Sequence, residues 1–267
     1  MTMDGSLNDR HDGAKMTPSE RRREIVNLVM AERTVQLDQL ADHFGVSRMT
    51  IHRDLDLLEE RGLLRKGRGG ATAEGSLLFE SNFHYRMQTE VAEKRALAKA
   101  AGALVEPGNV VMIDDSTTTL MLAEEFESID FITIITNSLA VCERLRGRPN
   151  IHLILTGGTY NDTFQGFYGL VCEQSLAKLR ADWAFLSASS VIGTSLYHQD
   201  QEVVRMKRAL MSSAERSVLL LTHSKFKARA LNHFADLSEF DRVFIGAQLD
   251  APAAQRLQQA NIAFELV

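Results

Sequence analysis

A short polar and basic run at residues 48–53 carries side chains that could read the edges of DNA bases. Ile51, Leu55 and Leu58 follow one another at helical spacing, which predicts a buried stripe on one face of a helix. The opposite face of the first two turns carries Arg48, Met49, Thr50, His52 and Arg53. Such side chains suit contact with base edges and phosphates in a major groove. Taken alone, the run is explained as well by an ordinary helix surface in contact with water.

The flanking sequence favours the DNA-binding interpretation. Thr17-Pro18-Ser19-Glu20 predicts a helix start with a capping box, Gly45 ends a second predicted helix, and Ser47 is a suitable N-cap for the third. Lys66 and Arg68 alternate with glycines that permit a tight turn between two short strands. Short helices, a glycine turn and a basic hairpin in this order are typical of a winged helix-turn-helix. The residues expected to contact DNA are Arg22, Ser47, Arg48, Met49, Thr50, His52, Arg53, Lys66 and Arg68.

In the second half of the chain, polar residues follow the apolar runs that predict strands. These runs lie at residues 110–113, 132–135, 151–155 and 218–221 and alternate with predicted helices. This alternation predicts a mostly parallel sheet covered on both faces, and thus an α/β fold. Ligands of such sheets bind beyond the carboxyl ends of the strands. The residues expected to meet there are Asp115, Ser116, Thr117, Thr118, Thr119, Asn137, Ser138, Gly157, Gly158 and Lys225.

The chemistry of these strand ends suits a phosphorylated ligand with hydroxyl groups. Residues 116–119 are four consecutive hydroxyl side chains at a predicted helix start, where free N–H groups attract anions. Asp115 can accept a hydrogen bond from a sugar hydroxyl, and Lys225 is a candidate phosphate partner. Each feature also has a plain structural explanation, namely helix capping by Ser116, an ordinary turn at Gly157 and a solvated lysine.

Composition narrows the classes of protein that fit. The chain has 267 residues, of which 45% are hydrophobic, and a formal charge of −5. Residues 15–68 hold 11 Lys and Arg against 9 Asp and Glu, so a slightly basic module precedes an acidic body. Two cysteines without metal spacing predict neither a disulfide framework nor a metal site and suit the cytoplasm. We expect no signal peptide and no membrane span, because the sequence has no apolar leader and no long apolar run.

These patterns predict four segments along the chain. They are a disordered tail at 1–15, a winged helix-turn-helix DNA-binding domain at 16–72, a linker at 73–89 and an effector-sensing α/β domain at 90–267. The linker shifts from small to large apolar residues, as expected for an extended connector whose apolar residues pack on one or both domains.

Both parts of the chain resemble the DeoR family of bacterial transcription regulators. From Arg22 to Ala71 the resemblance rests on R-R-E-I-V, on L-D-Q-L-A-D-H-F-G-V-S-R-M-T-I-H-R-D-L and on L-E-E-R-G-L-L-R-K-G-R-G-G-A. In the second part it rests on I-D-D-S-T-T-T-L, I-I-T-N-S-L, L-T-G-G and S-K-F, and on Glu202 and Lys207 in E-V-V-R-M-K.

The resemblance implies a sensor domain with a fold similar to ribose-5-phosphate isomerase and amino-sugar-phosphate deaminases. It also implies binding to a double-stranded DNA operator, and we expect a homodimer or homotetramer because half-sites are read in pairs. Such a protein represses a sugar catabolic operon until a phosphorylated sugar or related anionic metabolite releases it. The resemblance adds Ser189, Glu202 and Lys207 to the expected effector site, with no cofactor, no metal and no catalytic residue.

The chain departs from the family pattern at positions that bear on specificity. His52 stands where the family usually has arginine, so a bidentate contact to guanine is lost. Thr117 occupies a position that is commonly glycine. Ser189 and Thr222 stand where the family often has aspartate. The absence of two carboxylates predicts a ligand that is more anionic than usual or carries a second acidic group.

Three functions fit these observations. The first is a transcription regulator, most simply a repressor, whose ligand changes the spacing of recognition helices within an oligomer. The second is a sugar-phosphate isomerase or deaminase that carries a DNA-binding module. It needs a general base, for which Glu202 is the acidic candidate near the expected site. The third is an architectural DNA-binding protein that binds no metabolite. We expect the first function and no enzymatic activity.

Overall fold

The computed structural model describes residues 16–32, 34–60, 63–67, 69–72 and 83–267. The chain divides into two compact units, Met1–Phe79 and Glu80–Val267. The expected tail at 1–15, Arg68 and residues 73–82 of the expected linker lie outside the described residues. Among the described helices, none combines the length and the apolar composition that crossing a membrane requires.

Within its described residues, the first unit consists of short helices and strands with the expected caps. Its elements are α1 Pro18–Glu32, β1 Thr34–Gln36, α2 Leu37–Phe44, α3 Arg48–Glu60, β2 Arg65–Gly67 and β3 Gly70–Thr72. Thr17 and Glu20 exchange backbone and side-chain hydrogen bonds, and Ser47 Oγ accepts from the Thr50 N–H at 3.1 Å. Gly45 ends α2 with a φ of 61°, a left-handed conformation that glycine adopts without strain.

The three strands of this unit form an antiparallel sheet in the order β1-β3-β2. Gly70 is required where β3 meets β1, because a Cβ at that position would lie 2.1 Å from the carbonyl oxygen of Val35. Ile25, Leu40 and Leu55, one from each helix, are fully buried in the core. Three helices around one core, with a β2–β3 wing, confirm the predicted winged helix-turn-helix.

The second unit alternates strands and helices. Its helices are α4 Phe83–Gln88, α5 Val91–Gly102, α6 Thr117–Leu120, α7 Leu122–Phe126, α8 Leu139–Leu145, α9 Leu170–Ala177, α10 Gln201–Ser212 and α11 Ala251–Gln259, with 3₁₀ turns at His223–Phe226 and Leu237–Glu239. Its strands are β4 Val110–Ile113, β5 Ile132–Thr136, β6 Ile151–Leu155, β7 Thr159–Asn161, β8 Gly166–Tyr168, β9 Ala181–Leu186, β10 Ser190–Ile192, β11 Ser195–His198, β12 Ala214–Leu221, β13 Asn232–Asp236, β14 Arg242–Ile245 and β15 Glu265–Leu266.

Seven of these strands form one parallel sheet in the order β15-β14-β12-β9-β4-β5-β6. Successive side chains of a strand enter opposite cores, since Val218 and Leu220 belong to one buried cluster while Leu219 belongs to the other. Helices cover both faces of the sheet, so side chains on both faces are buried. The strand sequences are therefore continuous apolar runs. The predicted α/β class and parallel sheet are confirmed.

The structure differs from the sequence-based prediction at helices and strands that are only a few residues long. The helix expected at 116–126 is interrupted at Met121, and the Thr119 hydroxyl near that break bonds to Asp114 instead of facing solvent. A helix, α4, occupies part of the segment expected to be an extended linker. The β7–β8 hairpin and the β10-β11-β13 sheet were not predicted, because strands of three to five residues carry too little periodicity.

Candidate functional site

A small cavity lies at the carboxyl ends of three neighbouring strands, β4, β9 and β12. Its volume is about 20 Å³, which is close to the room that one buried water occupies. Its walls bring together residues from six parts of the sequence: Arg86, Asp115, Ser116, Thr117, Thr118, Ser187, Ala188, Ser189, His198, Lys207 and Lys225. The cavity lies beyond the carboxyl ends of the strands, which is where ligands of parallel sheets bind. There Ser189, Lys207 and Lys225 meet the residues that follow β4, as expected.

Asp114 holds the floor of this cavity together, although the sequence analysis did not select it. Its Oδ1 accepts from the Ser116 N–H at 3.0 Å and from the Thr119 hydroxyl at 2.5 Å. Its Oδ2 accepts from the Ser187 N–H at 2.9 Å and from the ammonium of Lys207. Asp114 and Lys207 are both buried, so this is an internal ion pair that joins β4 and β9 to α10.

The hydroxyl groups that follow β4 are unequally available to a ligand. Ser116 Oγ accepts from the Thr119 N–H at 3.1 Å and thus caps α6. Helix capping was the structural alternative to a ligand contact for this residue. The hydroxyl of Thr119 is fully buried and bonded to Asp114, and Thr119 does not line the cavity. Thr117 and Thr118 do line it. The structure therefore leaves these two threonines as the hydroxyls best placed for a ligand.

The predicted residues after β5 and β6 lie apart from this cavity. Ser138 caps α8 by accepting from the Val141 N–H at 3.3 Å, and Asn137 donates to the Phe167 carbonyl at 3.2 Å. Gly158 has a φ of 123°, and a Cβ there would lie 2.4 Å from the Tyr168 carbonyl oxygen. Gly157 and Gly158 do not line the cavity, and Gly158 allows a close approach of two backbone segments. These residues follow β5 and β6, which lie on the far side of β4 from β9 and β12.

Glu202 also lies away from the cavity. Its side chain is about half exposed at the first turn of α10, 3.6 Å from the guanidinium of Arg205. Lys207, one and a half turns later on the same helix, faces the buried cavity instead. The acidic residue on which the isomerase hypothesis depended is therefore not placed to act as a base in this site.

Arg86 and His198 line the cavity, and sequence reasoning missed both. Burial lowers the pKa of Arg86, while the Asp115 carboxylate opposes that shift. Burial, and then the neighbouring charge of Lys207, lowers the pKa of His198 well below its usual value, so the imidazole is neutral. His198 Nδ1 accepts from the Asp200 N–H at 3.1 Å, which places the ring proton on Nε2. Arg86 lies on α4, within the segment that was expected to be a linker.

A second and larger cavity shares Arg86 and Lys225 with the first. We call it the outer compartment; its volume is about 270 Å³, and its polar lining is Arg86, Thr89, Glu90, Lys94, Ser224 and Lys225. Three of these side chains are basic and one is a carboxylate. The Lys94 ammonium donates to the Arg86 carbonyl oxygen. Burial, followed by the charges of Lys225 and Arg86, lowers the pKa of Lys94 to about 7.

The candidate DNA-reading surface is the outer face of α3. Met49 is 61% exposed, and His52 and Arg53 also face solvent. Arg53 makes no ion pair with any other residue that the structure describes. Arg48, in contrast, lies 2.7 Å from Asp38, although both side chains are well exposed, so the pair can open at little cost.

Two other residues expected to contact DNA have partners within the first unit. Arg22 lies 3.4 Å from Asp54, and the neighbouring Arg21 donates to the same carboxylate at 2.7 Å. Asp54 is buried, so these contacts fasten α1 to α3. Lys66, on strand β2 of the wing, forms an ion pair with Asp56 of α3. Among the expected DNA contacts, His52 and Arg53 are thus the more available polar side chains on α3.

Comparisons with known proteins match both units. Residues 21–76 match the DeoR-like helix-turn-helix domain, and residues 89–247 match the DeoR C-terminal sensor domain. An uncharacterized HTH-type transcriptional regulator, YgbI, from Escherichia coli K12 is 30% identical over 92% of this chain and 97% of its own length. The glycerol-3-phosphate regulon repressor of the same strain is 29% identical over 94% of this chain and all of its own length.

Among solved structures, ribose 5-phosphate isomerase A from Methanocaldococcus jannaschii matches 52% of this chain and 55% of its own, with 19% identity and a TM-score of 0.38. The two domain matches cover most of the chain in the order that the fold displays, and a relative at 30% identity extends over nearly all of it. The chain therefore belongs to the DeoR family of transcription regulators.

Proposed function

We propose that this protein represses a sugar catabolic operon in the cytoplasm and leaves its operator when a phosphorylated sugar binds to the second unit. The observation that carries the effector half of this proposal is the outer compartment, where Arg86, Lys94 and Lys225 surround one cavity with a single carboxylate. Lys94 is buried and Arg86 and Lys225 are half-buried, and basic groups in such positions with so little opposing charge favour an anion.

The DNA half of the proposal rests on the fold of the first unit and the outer face of α3. Arg53 and His52 are placed to reach base edges or phosphates when α3 enters a major groove. Ser47, Met49 and Thr50 lie on the same turns. On binding DNA, Arg48 would leave Asp38 and Lys66 would leave Asp56, and both would bind phosphates of the DNA backbone instead. A dimer or tetramer supports this function because paired recognition helices read paired half-sites.

The inner cavity and the outer compartment together accommodate a phosphorylated ligand better than the inner cavity alone. A volume of about 20 Å³ admits one small polar group, whereas about 270 Å³ admits a phosphate and part of a carbon chain. The proposed ligand contacts are therefore Arg86, Lys94 and Lys225 at the outer end and Asp115, Thr117, Thr118, Ser189 and Lys207 at the inner end. Similarity to the glycerol-3-phosphate regulon repressor of Escherichia coli supports a phosphorylated effector.

Release from DNA then follows from linkage between two sites. A ligand that binds one arrangement of the oligomer more tightly shifts the population toward that arrangement. In that arrangement, the distance between the recognition helices would not match the distance between the operator half-sites. Ligand binding then lowers the affinity for DNA, and DNA binding lowers the affinity for the ligand by the same factor. No turnover is required, and we propose that the protein is not an enzyme.

Replacing Lys225 by alanine is expected to leave operator affinity within about twofold of wild type and to raise the effector concentration needed for release about 10-fold or more. A charged hydrogen bond to a phosphate contributes roughly 1.5–3 kcal/mol, which corresponds to that range. Gel shifts with the DNA upstream of the gene, titrated with glycerol, pentose and hexose phosphates, measure both quantities. Lys227→Ala is the matched control, since Lys227 is exposed and lines neither cavity. Release of the Lys225→Ala variant at wild-type ligand concentrations would refute the assignment.

Effector binding is expected to take up about one proton per site near pH 8. The pKa of Lys94 is about 7 in the free protein, so the amine is mostly neutral at pH 8. A bound anion favours the ammonium and raises that pKa, so affinity falls as the pH rises from 7 to 9. Calorimetric titrations in two buffers of different ionisation enthalpy measure the uptake. Lys94→Met should bind with little proton uptake, and binding by the wild type without uptake would contradict the prediction.

A further inference from the structure

Strand β6 forms an unprotected edge of the seven-stranded sheet. It is the last strand in the sheet order and, among the described strands, pairs only with β5. Its sequence, Ile-His-Leu-Ile-Leu, contains no proline, lysine, arginine or carboxylate. Natural edge strands are usually kept from pairing with other chains by such residues or by being very short. The opposite edge has both protections, since β15 has only two residues and its Glu265 forms an ion pair with Arg242.

Hydrogen bonds at the two ends of β6 show which of its backbone groups point away from β5. The Asn150 carbonyl accepts from the first N–H of β5 at 3.3 Å, and the Thr156 N–H donates to the last carbonyl of β5 at 3.0 Å. Alternate residues of a strand direct their N–H and C=O groups to the same side, so positions 152 and 154 also face β5. The residues whose backbone groups face outward are Ile151, Leu153 and Leu155.

Most of these outward backbone groups are unpaired. The Ile151 N–H donates to the Arg148 carbonyl at 3.2 Å, but no other described residue bonds to the outward groups of Leu153 and Leu155. The side chains are not fully covered either, because His152 is exposed and the four apolar residues of β6 are half-buried. An apolar strand with a row of free N–H and C=O groups is a template for a further strand.

Large apolar side chains are exposed at both ends of this edge. Phe131, which is 84% exposed, precedes β5 beside the amino end of β6. Beyond the carboxyl end of β6, the β7–β8 hairpin and the start of α9 expose Tyr160, Leu170 and Val171. These four are among the seven large apolar side chains that are exposed in the described part of the second unit. Such clustering marks a surface that another protein covers.

The edge is complementary to itself. In an antiparallel pair, two directly opposite residues can exchange both of their N–H···O bonds. A two-fold axis at Leu153 would place this residue opposite its own copy and Ile151 opposite Leu155, so all three outward residues are matched. The same axis would bring Phe131 of one copy toward the exposed side chains beyond the carboxyl end of the other. A second copy of this chain therefore fits the edge, and no like charges of the two strands oppose each other.

We propose that two copies of the second unit pair through antiparallel β6 strands and join their sheets into one. The inference goes beyond the proposed function, which requires an oligomer but not this surface. A pair of short strands covers too little area for a stable interface, which needs about 1,000 Å² or more, so the exposed apolar side chains at both ends supply the remainder. No residue of β6 lines either cavity, so the pairing leaves the candidate effector site open.

A pair of cysteines tests this register in the full chain. The axis places His152 opposite Ile154 of the second copy in a non-hydrogen-bonded pair, with Cα atoms about 4.5 Å apart, which a disulfide can span. We expect the double variant His152→Cys/Ile154→Cys to form disulfide-linked dimers on mild oxidation. Neither single variant should do so, because identical positions would lie about 7–8 Å apart. The wild type, with Cys142 and Cys172, gives the background. A folded double variant that links no more than this background would overturn the pairing.

Leu153→Pro tests the same edge without cysteine. Proline removes an outward N–H and leaves the bonds to β5 in place, so light scattering over a range of concentrations should show a dimer dissociation constant raised about 10-fold or more. Leu266→Pro is the matched control on the opposite edge. Leu266 is exposed, and its neighbour Val267 makes the bond to β14, so the Leu266 N–H also faces outward. Wild-type association of Leu153→Pro would contradict the proposal, and if that variant does not fold, the cysteine variants decide.

The results distinguish this inference from the proposed function. A wild type that is monomeric at every concentration overturns the β6 pairing, and so does a dimer that neither links through the cysteine pair nor responds to Leu153→Pro. In the second case the dimer uses another surface, and repression by paired recognition helices stands. If the double variant links through β6 but the wild type binds neither the upstream DNA nor a sugar phosphate, the proposed function fails and the pairing stands.

Discussion

Replacing Lys207 by alanine is expected to lower the free energy of unfolding by about 3–5 kcal/mol, the range found when one partner of a buried ion pair is removed. The ammonium of Lys207 bonds to Asp114 and lies 3.6 Å from Asp115, and all three side chains are buried. Alanine would leave two carboxylates in the interior without a cation between them. Their desolvation would then be uncompensated, and they would repel each other.

Urea unfolding followed by tryptophan fluorescence measures this loss. Trp183 is the one tryptophan of the chain and lies buried on β9, so its emission reports on the second unit. Lys99→Ala is the control, because Lys99 is an exposed helical residue and should change stability by less than about 0.5 kcal/mol. Removing Asp114 and Lys207 together should cost less than the sum of the two single changes. A loss below 1 kcal/mol in Lys207→Ala would show that the pair does not hold the cavity floor.

The second large effect concerns DNA. Replacing Arg53 by alanine is expected to weaken operator binding by roughly 5- to 150-fold, the equivalent of about 1–3 kcal/mol for a good arginine contact to a base. Arg53 is exposed on the outer face of α3 and has no ion-pair partner among the residues the structure describes, so alanine should not disturb the fold. Effector affinity should be unchanged, because Arg53 belongs to the first unit.

Fluorescence anisotropy with labelled upstream DNA at several salt concentrations measures this effect and its origin. A base contact predicts a loss that is largest on the cognate sequence, whereas a phosphate contact predicts an equal loss on all sequences and a shallower salt dependence. Arg146→Ala is the control, since it removes the same charge from an exposed position in the second unit. Wild-type affinity in Arg53→Ala would show that the outer face of α3 does not read DNA.

Features set by neighbouring residues were predictable from the sequence. Ser47 and Ser116 act as N-caps because a hydroxyl reaches an N–H group within the same turn. The parallel sheet followed from continuous apolar runs, since a strand covered on both faces needs apolar side chains on both. Parallel strands bring their carboxyl ends to one edge of the sheet, and for this reason the sequence indicated that Asp115 and Lys225 would meet there.

The sequence alone thus determined the two kinds of unit, their order, and the edge of the sheet at which the polar side chains of the candidate site meet. The tertiary structure decided which residues at that edge converge. Lys207 meets Asp114 across 93 positions of sequence, and Arg86 reaches the cavity from a helix placed in a predicted linker. Asn137 and Gly158 stay outside it, because β5 and β6 lie beyond β4. Periodicity and capping depend on residues within a few turns. Strand order and side-chain burial depend on packing between distant segments, and that packing buries Asp115 Oδ1 where no described residue donates a hydrogen bond to it.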